Sequence, residues 1–264
     1  LSGYTNVLTF DGQTSNGGQD AFISKYQADG TRVWTQLVGG ALSDSASALN
    51  VLPNGALLVS GFTGGPTFDG NTVNGSQDGF FAEYLADGTK VFTQLIGGAG
   101  AEYAPALGLA LGPSTDVGFY LGGRTSSISL NGQLTSNTTD STSAITDAFL
   151  AKFSLPSVSI VLSAGAASVN EGNAVNFIIN AANVASGTKL SYTLGGTIDA
   201  NDIANGQLGG TATVGTDGKA YFAVSLAADQ LTEGPETLIA TVAGVQSEPI
   251  TVNDTSMTPA PTCS

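Results

Sequence analysis

Two stretches of this chain spell nearly the same phrase, QDAFISKYQADGTRVWTQLVGG at residues 19–40 and QDGFFAEYLADGTKVFTQLIGG at residues 77–98. Equivalent residues such as Asp20 and Asp78 are 58 positions apart, and the glycine-rich stretch upstream repeats at the same spacing. Internal repeats with a period of roughly 50 residues are typical of propellers and related arrays. The spacing therefore predicts the same fold for both stretches.

A third, looser copy follows the first two. The stretch LGGRTSSISLNG at residues 121–132 repeats the glycine-rich opening, and DAFLAKF at residues 147–153 repeats DAFISKY at residues 20–26. Asp147 lies 69 positions after Asp78, so the third copy contains a longer insertion. The repeats together extend from the start of the chain to the end of DAFLAKF.

Each full period contains four short apolar runs separated by turn signals. ASALNVL and ALLVSGF flank a Pro-Asn-Gly turn at residues 53–55, and GFFAEYL and KVFTQLIG flank an Asp-Gly turn at residues 87–88. Asn-Gly and Asp-Gly favour two-residue hairpin turns in which both residues have positive φ. Alternation in AFISKY places Phe22 and Tyr26 on one face of a strand and Ile23 on the other. Two hairpins per period predict four-stranded antiparallel sheets, the blades of a β-propeller.

The strand count predicts an incomplete set of blades over residues 1–153. With the strands of one blade named A to D, the chain begins at strand B and ends the repeats after strand C of the third copy. This predicts sheets of three, four and three strands, about two and a half blades, whereas closed propellers typically have at least about four. Because exposed sheet edges are association sites, we expect them to be covered by another copy or by adjacent parts of a longer chain.

The repeat resembles a known family. Its shared pattern joins SG-aromatic-T, F-D-G, Q-D-x-F, D-G-T and T-Q-L-x-G-G, and this pattern resembles the bacterial SBBP-type β-propeller repeats of large secreted and surface proteins. The resemblance covers residues 1–153. It implies an extracellular scaffold or binding module, because those repeats share no single activity.

The composition changes after a short hinge at residues 154–156, where the glycine-rich phrase ends. About seven strand-like runs follow within residues 157–256, and this number and spacing are typical of an immunoglobulin-like sandwich. The runs begin near Val158, Val175, Leu190, Gly210, Lys219, Thr237 and Pro249. Residues 257–264 read as a C-terminal tail, which carries the single cysteine, Cys263. The expected class is therefore all-β, with an incomplete propeller-like part and a sandwich.

The acidic residues of the second module resemble those of a Calx-β domain. The run DQLTEGPE at residues 229–236 keeps the family's Asp-x-hydrophobic-x-Glu-x-x-Glu spacing, an early turn contains Glu-Gly, and the last strand ends on an aspartate. Ca²⁺ takes six to eight oxygen ligands, so the resemblance implies one or two calcium ions at one end of the sandwich. Ala228 and the single acid in Asn253-Asp254-Thr255 depart from the pattern and predict modest affinity. The implied ligands are Glu171, Asp202, Asp229, the carbonyl of Leu231, Glu233, Glu236 and Asp254.

A structural role for the same acids stays open. Glu233 and Glu236 are also typical of a solvated loop, and Asp229 is typical of a turn cap. The calcium interpretation therefore depends on the carboxylates meeting in space.

The acids of the repeat are predicted to be structural. Asp20, Asp78 and Asp147 each precede an apolar strand, where an aspartate accepts hydrogen bonds from neighbouring backbone amides. Asp11 and Asp69 belong to FDG turns.

Charge and composition exclude several functions. The chain has 264 residues with 21 acidic and 7 basic side chains, a net charge of −14, and no histidine. Nothing in such a chain neutralises phosphates, which argues against nucleic acid or anionic membrane partners, and no apolar stretch is long enough to span a bilayer. The lack of histidine removes the commonest general base and the Ser-His and Cys-His nucleophile pairs. Divalent cations are the natural counter-charge.

These observations predict a non-enzymatic structural or adhesive protein outside the cell or on its surface, which self-associates through open sheet edges into an oligomer or filament and is stiffened by calcium. The alternative is a glycan- or protein-binding propeller module of a larger secreted protein. That function needs exposed aromatic residues in loops such as residues 63–77, which offer only Phe68, while Trp34 is expected to pack within a blade. A propeller hydrolase needs a central channel, which two and a half blades do not enclose.

Overall fold

The computed structural model describes residues 1–110, 117–134, 146–155, 158–228 and 234–255. The chain divides into two compact units, Leu1–Ser157 and Val158–Ser264. Every regular element in the described residues is a β-strand, which confirms the predicted all-β class. These residues contain no helix of the length and apolarity needed to cross a membrane.

The N-terminal unit (Leu1–Ser157) contains long strands joined by small hairpins. In chain order its strands are β1 (Ser2–Thr5), β2 (Thr9–Phe10), β3 (Gln13–Thr14), β4 (Asp20–Tyr26), β5 (Arg32–Val38), β6 (Asp44–Val51), β7 (Leu57–Thr63), β8 (Thr67–Phe68), β9 (Asn71–Thr72), β10 (Asp78–Tyr84), β11 (Lys90–Ile96), β12 (Glu102–Ala110), β13 (Val117–Thr125), β14 (Ser129–Leu130), β15 (Gln133–Leu134) and β16 (Asp147–Leu155).

The long strands form three antiparallel sheets. The first sheet has the order β1-β4-β5, the second β11-β10-β7-β6 and the third β12-β13-β16. Three, four and three strands in this order are what the repeat predicts, so the incomplete propeller-like architecture is confirmed. The two quoted stretches pair in the same way, β4 with β5 and β10 with β11, and both ladders break register at the equivalent position, after Lys25 and after Glu83.

Asx-Gly turns of two kinds occur in this unit, and one differs from the prediction. Between β10 and β11 only Gly88 has positive φ, at 88°, and Asp87 Oδ1 accepts a hydrogen bond from Thr89 N at 2.9 Å. The two-residue turn predicted there, and in the equivalent turn between β6 and β7, is wrong, because the aspartate or asparagine caps its own backbone instead. Two-residue turns with both φ values positive occur in the small hairpins, for example Asp11 at 54° and Gly12 at 81°.

Two apolar cores join the three sheets. The first core combines residues of the first and second sheets, among them Ile23, Val59 and Phe80. The second core combines residues of the second and third sheets, among them Phe81 and Phe119. The successive residues Phe80 and Phe81 thus lie on opposite faces of β10, as expected for a strand that is buried on both sides.

The C-terminal unit (Val158–Ser264) consists of two sheets. Its strands are β17 (Ser159–Ala164), β18 (Ser168–Asn170), β19 (Ala174–Ala182), β20 (Lys189–Gly196), β21 (Gly209–Thr213), β22 (Lys219–Ser225), β23 (Glu236–Val242), β24 (Val245–Gln246) and β25 (Ile250–Asn253). One sheet has the order β17-β19-β22, and the other has the order β18-β25-β23-β20-β21, with β24 paired to β23. The predicted sandwich is confirmed.

The sandwich core follows the alternation of each strand. Val175, Phe177 and Ile179 of β19 are buried, as are Leu238 and Ala240 of β23. The short strand β18 was not among the predicted runs, and it pairs in parallel with β25. This pairing joins an early turn of the unit to its last strand.

Candidate functional site

The four predicted calcium ligands in the described residues are Glu171, Asp202, Glu236 and Asp254. Asp229, Leu231 and Glu233 lie outside the described residues.

Glu171 and Asp254 lie side by side because β18 and β25 run in parallel. Asn170 pairs with Asn253 in register, and each acid is the next residue along its strand. Glu171 N donates a hydrogen bond to Asn253 O at 3.2 Å, and Thr255 N donates to Glu171 Oε2 at 3.4 Å. The two acids therefore meet at one end of the sandwich.

Asp202 and Glu236 are connected to the same end. Glu236 begins β23 and pairs there with the end of β25. The carbonyl of Asp202 accepts a hydrogen bond from Ala227 N at 2.8 Å, and Ala227 O accepts one from Gly172 N at 3.1 Å, directly after Glu171. The structure thus places Glu171, Glu236 and Asp254 at the ends of strands β18, β23 and β25, and two backbone hydrogen bonds link Asp202 to Gly172 beside them, while the Asp202 carboxylate accepts a hydrogen bond from Asp199 N in its own loop.

Their arrangement does not by itself make a metal centre. In the part of the chain that the structure describes, no three or more Asp, Glu, Cys or His side chains form a group that could hold a metal ion. One described residue of the predicted acidic run lies at this end of the sandwich: Gly234 N donates a hydrogen bond to Asp254 Oδ2 at 2.9 Å. Calcium binding stays a prediction.

A row of polar residues, all buried except the half-buried Asp147, crosses all three sheets of the N-terminal unit. In the second sheet Thr63 pairs with Asp44 on one side and with Asp78 on the other. The third sheet repeats this acid-threonine-acid order. The first sheet, which lacks the outer strand, contains only the threonine and the second acid. The row consists of Thr5, Asp20, Asp44, Thr63, Asp78, Glu102, Thr125 and Asp147.

The double glycine of the repeat makes room for these acids. Asn74 N donates a hydrogen bond to Asp78 Oδ2 at 3.0 Å, and Asp20 accepts the equivalent bond, as the sequence predicts for an aspartate before a strand. A Cβ atom on Gly97 would lie only 2.0 Å from Asp78 Oδ1, and one on Gly39 would lie 2.3 Å from Asp20 Oδ1. The first glycine of each GG pair is therefore required for close approach of a carboxylate.

Burial perturbs the acids of the second sheet. Asp78 is 0% exposed, and burial raises its pKa to about 6, opposed by the hydrogen bond from Asn74 and reinforced by the charge of Glu102. Burial also raises the pKa of Asp44 above its usual range, and it raises the pKa of Glu83, which lies in β10, to about 7. Asp78 Oδ1 packs against Gly97 and has no hydrogen-bond partner among the described residues, which is consistent with the cost of holding this carboxylate ionised.

An aromatic groove in the same unit was not predicted. Phe62 and Tyr103 have ring centroids 5.1 Å apart, and the guanidinium carbon of Arg124 lies 4.2 Å from the centroid of the Tyr103 ring. The groove they line has a volume of about 520 Å³, and Arg124 forms no ion pair with a described residue. The repeat contains the signal for this site, because Arg124 occupies the position of Tyr4 and Phe62 in the other copies.

Of the two aromatic residues considered as ligand platforms from the sequence, Phe68 is buried and Trp34 is partly buried. Phe68 is 0% exposed and belongs to the first core. Trp34 packs against the same core, and its Nε1 donates a hydrogen bond to Ala86 O at 3.2 Å. Trp34 therefore joins the first sheet to the second, whereas the sequence predicted packing within a blade.

No family model matches the chain. Among curated proteins, the chain is similar to the regulatory protein FlaEY of Caulobacter vibrioides, with 33% identity over 91 residues. The match covers 32% of this chain and 10% of that protein, so the chain spans about a tenth of the relative's length. Fold and site together define an all-β protein with an incomplete propeller-like unit and a sandwich.

Proposed function

We propose that this chain is a non-enzymatic structural or adhesive component of an assembly outside the cell or on its surface, and that copies associate through the N-terminal unit. The observation that carries the proposal is the pair of open sheet edges. Strands β1 and β16 end the orders of the first and third sheets, and no other described strand pairs with their outer sides. Each backbone hydrogen bond gained there contributes roughly 0.5 to 1.5 kcal/mol.

The resemblance to SBBP-type repeats supports an extracellular location. The net charge of −14 supports protein or cation partners over nucleic acid. The similarity to FlaEY covers too little of that protein to assign its regulatory role here.

Self-association is tested by measuring the mass of the full chain over a concentration series, together with backbone hydrogen exchange. We expect the mass to rise with concentration, because unpaired strand edges and apolar surface are both covered in an assembly. A monomer at every concentration contradicts the proposal.

Calcium is the second part of the proposal. Glu171, Asp202, Glu236 and Asp254 would hold the ion together with the three candidates from the acidic run, Asp229, the Leu231 carbonyl and Glu233. Bound calcium would neutralise carboxylates that otherwise repel one another and would connect the ends of strands β18, β23 and β25. This connection is what stiffens the sandwich.

Calcium is expected to raise the melting temperature of the C-terminal unit. At a calcium concentration of about ten times the Kd the gain is about 1.4 kcal/mol, which corresponds to several degrees for a domain of this size. The double variant Glu171→Gln, Asp254→Asn should lose the shift in differential scanning calorimetry. The exposed Glu248→Gln variant is the matched control and should keep it; equal shifts in all three proteins contradict the site.

A second candidate function rests on the groove of Phe62, Tyr103 and Arg124. Aromatic rings offer stacking surface to a sugar or a peptide side chain, and the guanidinium of Arg124 offers hydrogen-bond donors. This supports a glycan- or protein-binding module. The test is titration with an oligosaccharide panel, in which Tyr103→Ala should abolish any binding seen with the unmodified chain.

A further inference from the structure

The internal repeat shows how one sheet of this protein docks onto the next. Ile23 in the first sheet and Phe81 in the second occupy equivalent positions, and each points toward the following sheet, in the first and second core respectively. Their exposed fractions are 1% and 0%. The third sheet has Leu150 at this position, and Leu150 is 74% exposed. The face that docks in two sheets is thus open in the third.

The opposite face shows the reverse pattern. Tyr84 in the second sheet faces the first sheet and is 1% exposed, and its equivalent in the third sheet, Phe153, packs in the second core. The equivalent residue in the first sheet is Tyr26, which is 45% exposed. On the same side of β4, the Phe22 ring contacts the Phe10 ring, with centroids 4.9 Å apart. The first sheet therefore presents an open receiving face.

We propose that the front face of the third sheet (Tyr120, Leu150 and Lys152) docks onto the rear face of the first sheet (Phe10, Phe22 and Tyr26) of a second copy of this chain. The inference rests on the proposed self-association and assigns that association to these two faces, with pairing of the open β1 and β16 edges as the alternative mode. The two faces are complementary because each is equivalent to one half of the junctions already present within the chain. A contact between two different faces is head-to-tail, so it propagates from copy to copy.

One hydrogen bond between the first and second sheets defines the register of the proposed junction between two copies. Lys25 Nζ in the first sheet donates a hydrogen bond to Ala86 O in the second, at 3.0 Å. Lys152 occupies the position of Lys25 in the third sheet, and Ala28 occupies the position of Ala86 in the first. In the intermolecular junction Lys152 of one copy donates to the carbonyl of Ala28 in the next.

The experiment uses the full chain and two variants, one for each face. Leu150→Glu places a charge on the front face only, and Tyr26→Glu places one on the rear face only. Sedimentation velocity should show concentration-dependent growth for the unmodified chain and at least a tenfold weaker self-association for either variant. Val161→Glu changes a residue of β17 that is 53% exposed and is the matched control.

Mixing the two variants provides the decisive readout. The front-face variant keeps a normal rear face and the rear-face variant keeps a normal front face, so an equimolar mixture should form dimers that do not grow further. Growth of both variants at the level of the unmodified chain, with new hydrogen-exchange protection confined to the β1 and β16 edges, overturns face docking and leaves edge pairing as the mode of association. A monomeric unmodified chain overturns this inference and the proposed self-association together.

Discussion

Replacing Phe81 by alanine is expected to destabilise the N-terminal unit by about 3 to 5 kcal/mol. Phe81 is 0% exposed, and its ring contacts three others, with centroid distances of 5.9 Å to Phe92, 5.1 Å to Phe119 and 4.8 Å to Phe153. Truncation leaves a cavity in the second core, at the junction of the second and third sheets. A denaturant titration followed by the fluorescence of Trp34, the single tryptophan, reports on this unit.

The control for this experiment is Tyr221→Ala, which truncates an aromatic residue of β22 that is 58% exposed. It should leave the Trp34 transition unchanged. Phe81→Leu keeps much of the buried volume and should lose less than half of what Phe81→Ala loses. A loss below about 1 kcal/mol for Phe81→Ala contradicts the packing of the second core.

The N-terminal unit is expected to be less stable at pH 8 than at pH 4.5. Burial raises the pKa of Asp78 from 3.8 to about 6 and that of Glu83 from 4.5 to about 7, and it raises the pKa of Asp44. A group whose pKa is higher in the folded than in the unfolded state adds its full stability at pH values low enough to protonate it in both states. That contribution is full below the unfolded pKa values near 4, is lost as the pH rises through the folded pKa values of about 6 and 7, and is gone by pH about 8.

The size of the effect follows from the two shifts. One pKa unit corresponds to about 1.4 kcal/mol, so between the two pH values Asp78 accounts for a loss on the order of 2 kcal/mol and Glu83 for one on the order of 3 kcal/mol. Hydrogen bonding to Arg32 lowers the pKa of Asp11, so this carboxylate stays ionised across the range and does not oppose the trend. The titration is followed by Trp34 fluorescence in the presence of a chelator, which excludes any contribution from calcium.

Glu83→Gln isolates one part of the pH dependence. An amide carries no charge at either pH, so the variant should gain stability at pH 8 and lose about half of the pH dependence. The matched control, Glu248→Gln, changes an exposed residue of the other unit and should retain the full pH dependence. Stability that is independent of pH in the unmodified chain would show that these acids are not desolvated.

The sheets of the N-terminal unit could be predicted because the repeat shows which strands of successive copies are equivalent. The 58-residue spacing defines which strand of one copy corresponds to which strand of the next, and the strand orders follow from it. The exact turn types could not be predicted, because an Asx-Gly pair fits two conformations and the flanking strands select one. In the turn at Gly88 the Asp87 side chain caps the backbone, whereas Asp11 takes positive φ.

The candidate sites depend on contacts between residues far apart in the sequence, and the sequence shows such contacts less clearly. The three-residue strand β18 has no periodic signal, and its partner β25 lies about 80 residues later, so the nearness of Glu171 and Asp254 was implied only by family resemblance. The buried position of Glu83 was not predictable, because the first and third copies have lysine there. Arg124 had a local signal, since it breaks the aromatic pattern of the other copies.

The near identity of the two long hairpins has a consequence for folding. The β4–β5 hairpin and the β10–β11 hairpin compete for the same place beside β7 while the chain is still unfolded. A β4–β5 hairpin in the second sheet would put Ile23 in the space of the Phe81 ring and would put the ammonium group of Lys25 in the buried position of Glu83. Both errors are costly, one through a void and one through an unpaired buried charge, so these two positions contribute to the energy gap that separates correct assembly from a swapped one.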